Sequence, residues 1–157
     1  LRLLGEGLAR VKADPMDMEA RQKCLMGAWL SMTGIVSGTR LGASHAIGHI
    51  LGGSADVPHG YTSCVMLPYV LAWNESVNGA RQKDLAAALG QPGTPASEIL
   101  DKLIGGLGMP RHLRDVGISE NQFPQLAENC MLDDWTFSNP RKIRSPDQIV
   151  EILRSAV

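Results

Sequence analysis

Apolar residues fall on one helical face at the start of the chain, where Leu1, Leu4, Leu8 and Val11 recur every three or four positions. The spacing predicts an amphipathic helix that stops at Asp14-Pro15, because the residue before a proline is pushed out of the helical region. A second helix is predicted to begin at Asp17, whose carboxylate can cap it, and to run through Trp29 and Met32 until Gly34 and Gly38 loosen the pattern. Its stretch 24–36 is the most apolar in the chain, which predicts a buried, central helix. A third helix is expected over 42–51, ending at Gly52-Gly53, since glycine readily takes the left-handed conformation found at many helix C-termini. A turn with Asp56, Pro58 and His59 then leads to an apolar run over 61–73, whose length favours a helix that Pro68 kinks without breaking.

The second half reads as shorter helices. One is predicted over 81–89, closed by Gly90, and another over 97–107 after the Thr94-Pro95 turn, with Gly108-Met109-Pro110 as a linker. Residues 119–130 open on Ser119-x-x-Gln122, a capping-box pattern, and 146–156 carry Pro146 at the first helical position after Ser145. The period-two alternation of strands is nearly absent. The expected fold is therefore all-α, a helical bundle-like single domain over 1–157, and 44% hydrophobic residues are enough for one core.

Charge narrows the function classes. Fifteen basic and sixteen acidic residues leave a net charge of -1 with no run of either sign, which argues against nucleic acid or an anionic membrane as partner. The apolar stretch 24–36 is shorter than the roughly 20 residues needed to span a bilayer. Three widely spaced cysteines, Cys24, Cys64 and Cys130, fit reduced, buried thiols in a cytoplasmic protein better than a disulfide framework. The chain opens directly inside a helical stripe without a cap, so a domain cut from a longer protein is expected.

The chemistry concentrates in one place. Of four histidines, His45, His49 and His59 fall within fifteen positions, and the first two are four apart on a predicted helix, which puts both imidazoles on one face. His59 follows a Gly-Gly turn that can fold back toward them. Imidazole serves equally as a metal ligand or as an acid–base group near neutral pH, so the cluster suits coordination or proton transfer. Asp56 and Cys64 are nearby donors without a compelling spacing, and His112 is distant. A zinc-peptidase helix is disfavoured, because it needs a glutamate directly after the first histidine and Ala46 stands there.

The string GASHAIGHILGGSADVPHGYTSCVMLPYVLAWN, residues 42–74, resembles the signature of the iron-containing alcohol dehydrogenase superfamily, including its maleylacetate reductase branch. The likeness lies in G-x-x-H-x-x-x-H, the PHG triplet fourteen residues after the first histidine, and L-P-Y-V-x-x-x-N; the helical text around it, down to Asn139-Pro140-Arg141, is similar to the family's C-terminal domain. The PHG and L-P-Y-V elements look like the metal-dependent alcohol dehydrogenases, whereas the first helices and Leu51-Gly52-Gly53 look closer to maleylacetate reductases.

The resemblance implies an NAD(P)-dependent oxidoreductase interconverting alcohols and carbonyls, or reducing maleylacetate-like substrates. It places His45 and His59 at two metal-ligand positions for Fe2+ or Zn2+, and His49 at a catalytic position facing the nicotinamide and the substrate. The family's other two ligands, an aspartate and a histidine on an earlier helix, have no counterpart here, nor has its N-terminal nucleotide-binding domain. Gly105-Gly106-Leu107-Gly108 lacks a preceding strand and reads as a helix end. The chain alone is thus expected to be catalytically incomplete and inactive, to expose an interface, and to self-associate as a homo-oligomer. The alternative is a free-standing helical module that binds a metal or a partner without catalysis of its own.

Overall fold

A computed structural model describes residues 1–157, and the backbone forms helices without a single strand. Eight α-helices follow in order: α1 Arg2–Ala13, α2 Met18–Val36, α3 Ala43–Ala55, α4 His59–Ala88, α5 Ala96–Gly106, α6 Phe123–Cys130, α7 Asp134–Phe137 and α8 Pro146–Ser155. The all-α expectation holds. Short 3-10 turns at Leu113–Val116 and Glu120–Gln122 connect α5 to α6.

The hydrophobic core lies among α3, α4, α6 and α8. Ile47 and Leu51 of α3, Val65 and Met66 of α4, Phe123 and Leu126 of α6, and Ile149, Ile152 and Leu153 of α8 form one buried cluster, with Leu113 and Ile143 supplied by the connecting segments. Burying an aliphatic or phenyl side chain of this size is worth roughly 1.5–3 kcal/mol. α5 packs along α4, and α7 lies against α3. Every residue of the core cluster comes from Ala43 onward, so α1 and α2 contribute nothing to it.

Those first two helices form a hairpin of their own, joined by small residues. Gly7 faces Cys24 and Ala20 so closely that a Cβ there would stand 2.7 Å from the Cys24 Sγ, and one at Gly27 would stand 2.8 Å from Leu4 Cγ. Asp17 caps α2 as expected, accepting a hydrogen bond from Ala20 N–H at 3.0 Å, and Arg10 of α1 holds the same carboxylate at 2.8 Å. Lys23 bridges the seam to Glu6 at 2.9 Å.

α2 departs from its expected place. The apolar stretch 24–36 is not central: Leu25 is 73% exposed, Trp29 67% and Val36 80%, with Met26, Leu30, Met32 and Ile35 also open to solvent. Only Ala20 and Gly27 of this helix are buried. A helix apolar on all sides is read as interior because something must cover it, but no other part of this chain does.

Two boundaries also shift. α3 runs through Gly52 and Gly53 to Ala55, and the left-handed cap is taken by Asp56 with φ 56° rather than by a glycine. The helices expected over 61–73 and 81–89 are longer than expected and meet at a kink within the run His59–Ala88, where Asn78 takes a non-helical φ of −130°. Gln82, buried on that run, bridges the break by donating to the Asn78 Oδ1 and the Leu71 carbonyl, both at 2.8 Å.

Candidate active site

The site is assembled on the N-terminal half of α3, the start of α4 and the short α7. α3 turns Ala43, Ala46, Ile47, Gly48 and Leu51 inward. That leaves His45 half-buried and His49 exposed on the adjoining face, one helical turn apart. α4 begins at His59 directly after Pro58, so His59 is the first residue of a helix rather than part of a turn.

His45 is the hub. Its ring centroid lies 6.1 Å from that of His49 and 6.3 Å from that of His59, both edge-on. The indole of Trp135 on α7 completes the group, 5.8 Å from His45 and 4.8 Å from His49, where it tilts over the ring at 38°. The structure therefore brings together all three histidines singled out in the sequence.

Burial pushes the His45 imidazole below its ordinary value, and repulsion from His49 and His59 adds to this against an opposing pull from Asp133. That shift favours the neutral ring, the form in which imidazole binds metal. Nearby donors do not extend the pair. No group of three His, Cys, Asp or Glu side chains converges on a point that could hold an ion. Burial raises the Cys64 thiol, whose Sγ donates to the Gly60 carbonyl at 3.3 Å, and His112 lies against Asp115 at 3.4 Å. Imidazole is a donor type that Fe2+ and Zn2+ accept, and His45 and His59 supply two such rings, whereas a catalytic zinc site ordinarily takes three protein ligands.

A profile of the Fe-containing alcohol dehydrogenase family, C-terminal domain, matches residues 1–157. The chain belongs to the iron-containing alcohol dehydrogenase family. Among its relatives, 1,3-propanediol dehydrogenase of Citrobacter freundii is 33% identical over 166 residues, which cover 99% of this chain and 42% of that protein. Maleylacetate reductase 2 of Cupriavidus pinatubonensis is 35% identical over 159 residues, covering 99% of this chain and 43% of that protein. A crystal structure of 1,3-propanediol oxidoreductase superposes with a TM-score of 0.92 at 33% identity, over 99% of this chain and 43% of that one. The chain thus spans about two fifths of the length of the curated relatives it matches.

Within this family domain, the last residue of the sequence signature pairs with the Asn139-Pro140-Arg141 segment. Asn74, at the end of L-P-Y-V-x-x-x-N, accepts from Asn139 Nδ2 at 2.7 Å and donates back to Asn139 Oδ1 at 3.2 Å. The same Asn139 Oδ1 accepts from Ala43 N–H at 3.2 Å, satisfying an orphan donor at the α3 N-terminus. A Cβ at Gly42 would lie 3.0 Å from that oxygen, so the glycine opening the motif is what lets the amide reach the helix end. Arg141 completes the junction, with its guanidinium 3.6 Å over the Trp73 ring and its Nη1 donating to the Trp73 carbonyl at 3.2 Å. One buried network thereby fixes α3, α4 and the segment after α7 relative to each other.

Sequence reasoning missed Asp133 and Trp135. Asp133 Oδ2 meets His49 Nδ1 at 2.8 Å, while its Oδ1 accepts from Trp135 N–H, also at 2.8 Å, and caps α7. The cap was detectable as an aspartate ahead of a short helix. Its contact with a histidine 84 residues earlier had no local signal.

Proposed function

We propose that these residues form the metal- and substrate-side domain of an NAD(P)-dependent oxidoreductase that interconverts small alcohols and carbonyls or reduces maleylacetate-like substrates. The observation supporting this reading is the cluster itself: a half-buried His45 with His59 edge-on to it, beside a His49 held by the Asp133 carboxylate. When bound, a divalent iron or zinc ion would polarise the substrate oxygen while the nicotinamide exchanges hydride with the adjacent carbon.

The chain's own residues have narrower tasks. His45 and His59 hold two coordination positions, and the remaining donors come from outside these residues. His49, on the same face of α3 one turn further on, takes up or returns the proton of the substrate oxygen. Trp135 covers His45 and His49 from the α7 side and limits water there. Should substrate reduction run without metal, the same imidazoles polarise the carbonyl as hydrogen-bond donors.

A nucleotide-binding domain outside these residues completes the site in this reading, and the exposed apolar face of α2 is the surface offered to it. Gly105 to Gly108 cannot substitute, since they end α5 with no strand before them. The 157 residues alone are accordingly expected to show negligible NAD(P)H turnover. The test is to express the full-length gene product and assay it with simple alcohols, aldehydes and maleylacetate, with and without Fe2+ or Zn2+. Nicotinamide-dependent turnover that falls at least about 100-fold in His49→Ala supports the reading. No turnover with either substrate class, or robust turnover by the 157 residues alone, overturns it.

A further inference from the structure

The geometry points to Asp133 as the positioning residue that sets which nitrogen of His49 carries the proton. The significance of this for catalysis rests on the oxidoreductase reading above; the tautomer itself does not. An ionised carboxylate only accepts hydrogen bonds. With Asp133 Oδ2 at 2.8 Å from His49 Nδ1, the proton must therefore sit on Nδ1, and the Nε2 of the neutral ring is left bare.

Three features hold this arrangement. Asp133 keeps only 17% of its side chain exposed, so water competes weakly for its oxygens. Its second oxygen is committed to Trp135 N–H at 2.8 Å, which prevents the carboxylate from rotating away. The Trp135 ring lies 4.8 Å from the imidazole at 38°, which restricts the plane of His49. α7 is in turn tied to the segment preceding α3, where Ser138 Oγ donates to the Leu41 carbonyl, and Asn139 caps α3 itself. One short helix thus carries the carboxylate, the indole and the tether that orient a single histidine.

The bare Nε2 is the atom able to accept the proton of an alcohol. The nearby carboxylate offsets the charge that the ring then acquires, the division of labour seen in serine–histidine–aspartate triads. The reverse tautomer would present an N–H and could not accept.

Asp133→Asn tests the assignment cleanly. Asparagine is as good a cap as aspartate, so its oxygen stays with the Trp135 N–H. Its NH2 group then faces His49 and donates, forcing Nδ1 to accept and moving the proton to Nε2. Long-range 1H–15N spectra of the histidine side chains in the 157-residue protein, taken in alkaline solution where imidazoles are neutral, read the tautomer directly. The expected result is Nδ1–H at His49 in the parent and Nε2–H in Asp133→Asn, with the His112 signals unchanged as a fold control. Asp133→Ser, which keeps a capping oxygen and withdraws from the ring, is expected to give a mixture of both forms. An Nε2–H parent, or an Nδ1–H form that persists in both variants, overturns the proposal. Turnover plays no part in this readout, so a failure of the oxidoreductase reading appears in the assay above and not here.

Discussion

The α1–α2 hairpin and the α3–α8 body are built from similarly apolar text with opposite outcomes. In the body, apolar residues converge on one cluster, and Asn74 and Asn139 are buried beside it as a hydrogen-bonded pair. In the hairpin, the helices touch through glycines and a charged seam, while the large side chains of α2 face solvent. The hydroxyls of α2 donate back to their own helix, Ser31 to the Ala28 carbonyl at 2.6 Å and Thr33 to the Leu30 carbonyl. Hydrophobic patterning marks a surface that needs cover; it does not say whether the cover lies in the same chain.

The largest effect should separate the two regions outright. Ile152→Ala, in the fully buried core, is expected to cost about 2–5 kcal/mol, from lost transfer energy and the cavity left behind. Trp29→Ala, at an exposed position of α2, should shift stability by less than about 0.5 kcal/mol despite removing a larger side chain. Urea denaturation measures both, and light scattering should show the parent self-associating with rising concentration and Trp29→Glu less so. Equal costs for the two alanine substitutions would mean that α2 is covered within the chain after all.

Next in size is the junction that holds the site to the body. Asn139→Ala strands the buried Asn74 NH2 group and the Ala43 N–H together, a loss of about 1–3 kcal/mol for unsatisfied groups of this kind. Histidine side-chain resonances of His45 and His49 should shift as α3 loosens, while those of His112 stay in place. A shift confined to stability, with the site resonances unmoved, would show that the network braces the core without placing the histidines.

How much of this was legible depends on the distance over which each feature acts. His45, His49 and His59 were legible because a helical turn and a short connection bring them together, the Asp17 cap because capping acts within three residues, and the start of α8 because proline suits the first helical position. Asp133 and Asn139 act on α3 across 84 and 96 residues, and only tertiary packing pairs them with it. Gly52-Gly53 misled because glycine permits a helix end without requiring one, and here the helical hydrogen bonds continue until Asp56 accepts the left-handed cap. The two helices expected over 61–73 and 81–89 do meet at a break, but it is narrower than the sequence suggests, a kink at Asn78 that Gln82 bridges.

A wedge in the hairpin should give a smaller and local effect. Gly7→Val places a branched side chain where the first carbon already stands 2.7 Å from Cys24 Sγ and 3.0 Å from the Ala20 carbonyl. Overpacking of this kind costs about 1–3 kcal/mol, but it should appear as hairpin opening rather than global unfolding. Hydrogen exchange is the measure: amides of α1 and α2 should lose protection, with those of α3, α6 and α8 unchanged. Coupled loss throughout the chain would join the two regions into one cooperative unit.

Acid should produce the mildest separation, and its sign follows from the seam. Lys23 holds the Glu6 carboxyl below its ordinary value, chiefly by hydrogen bonding, and Arg10 does the same for Glu19. The Asp17 carboxyl is lowered first by the Ala20 N–H it caps and then by Arg10. A carboxyl depressed in the folded state binds its proton less readily than in the unfolded chain. Its contribution is therefore complete above the ordinary carboxylate range, near pH 4–5, and is lost as pH falls through the lower folded values. Glu6 and Glu19 are exposed and Asp17 is half-buried at the surface, so salt should screen the effect. The body also carries acid-sensitive groups, the depressed carboxyls of Asp101 beside Arg111 and of Asp115 at the Arg111 and His112 N–H groups and the half-buried His45, whose depressed value costs stability as pH falls, but its apolar cluster does not titrate. Hydrogen exchange between pH 5 and about pH 3 should accordingly show α1 and α2 losing protection before α3 to α8, and added salt should weaken the hairpin at pH 6 more than the body. If the two regions lost protection at the same pH, the charged seam would not be what holds the hairpin closed, and the glycine contacts at Gly7 and Gly27 would have to carry it.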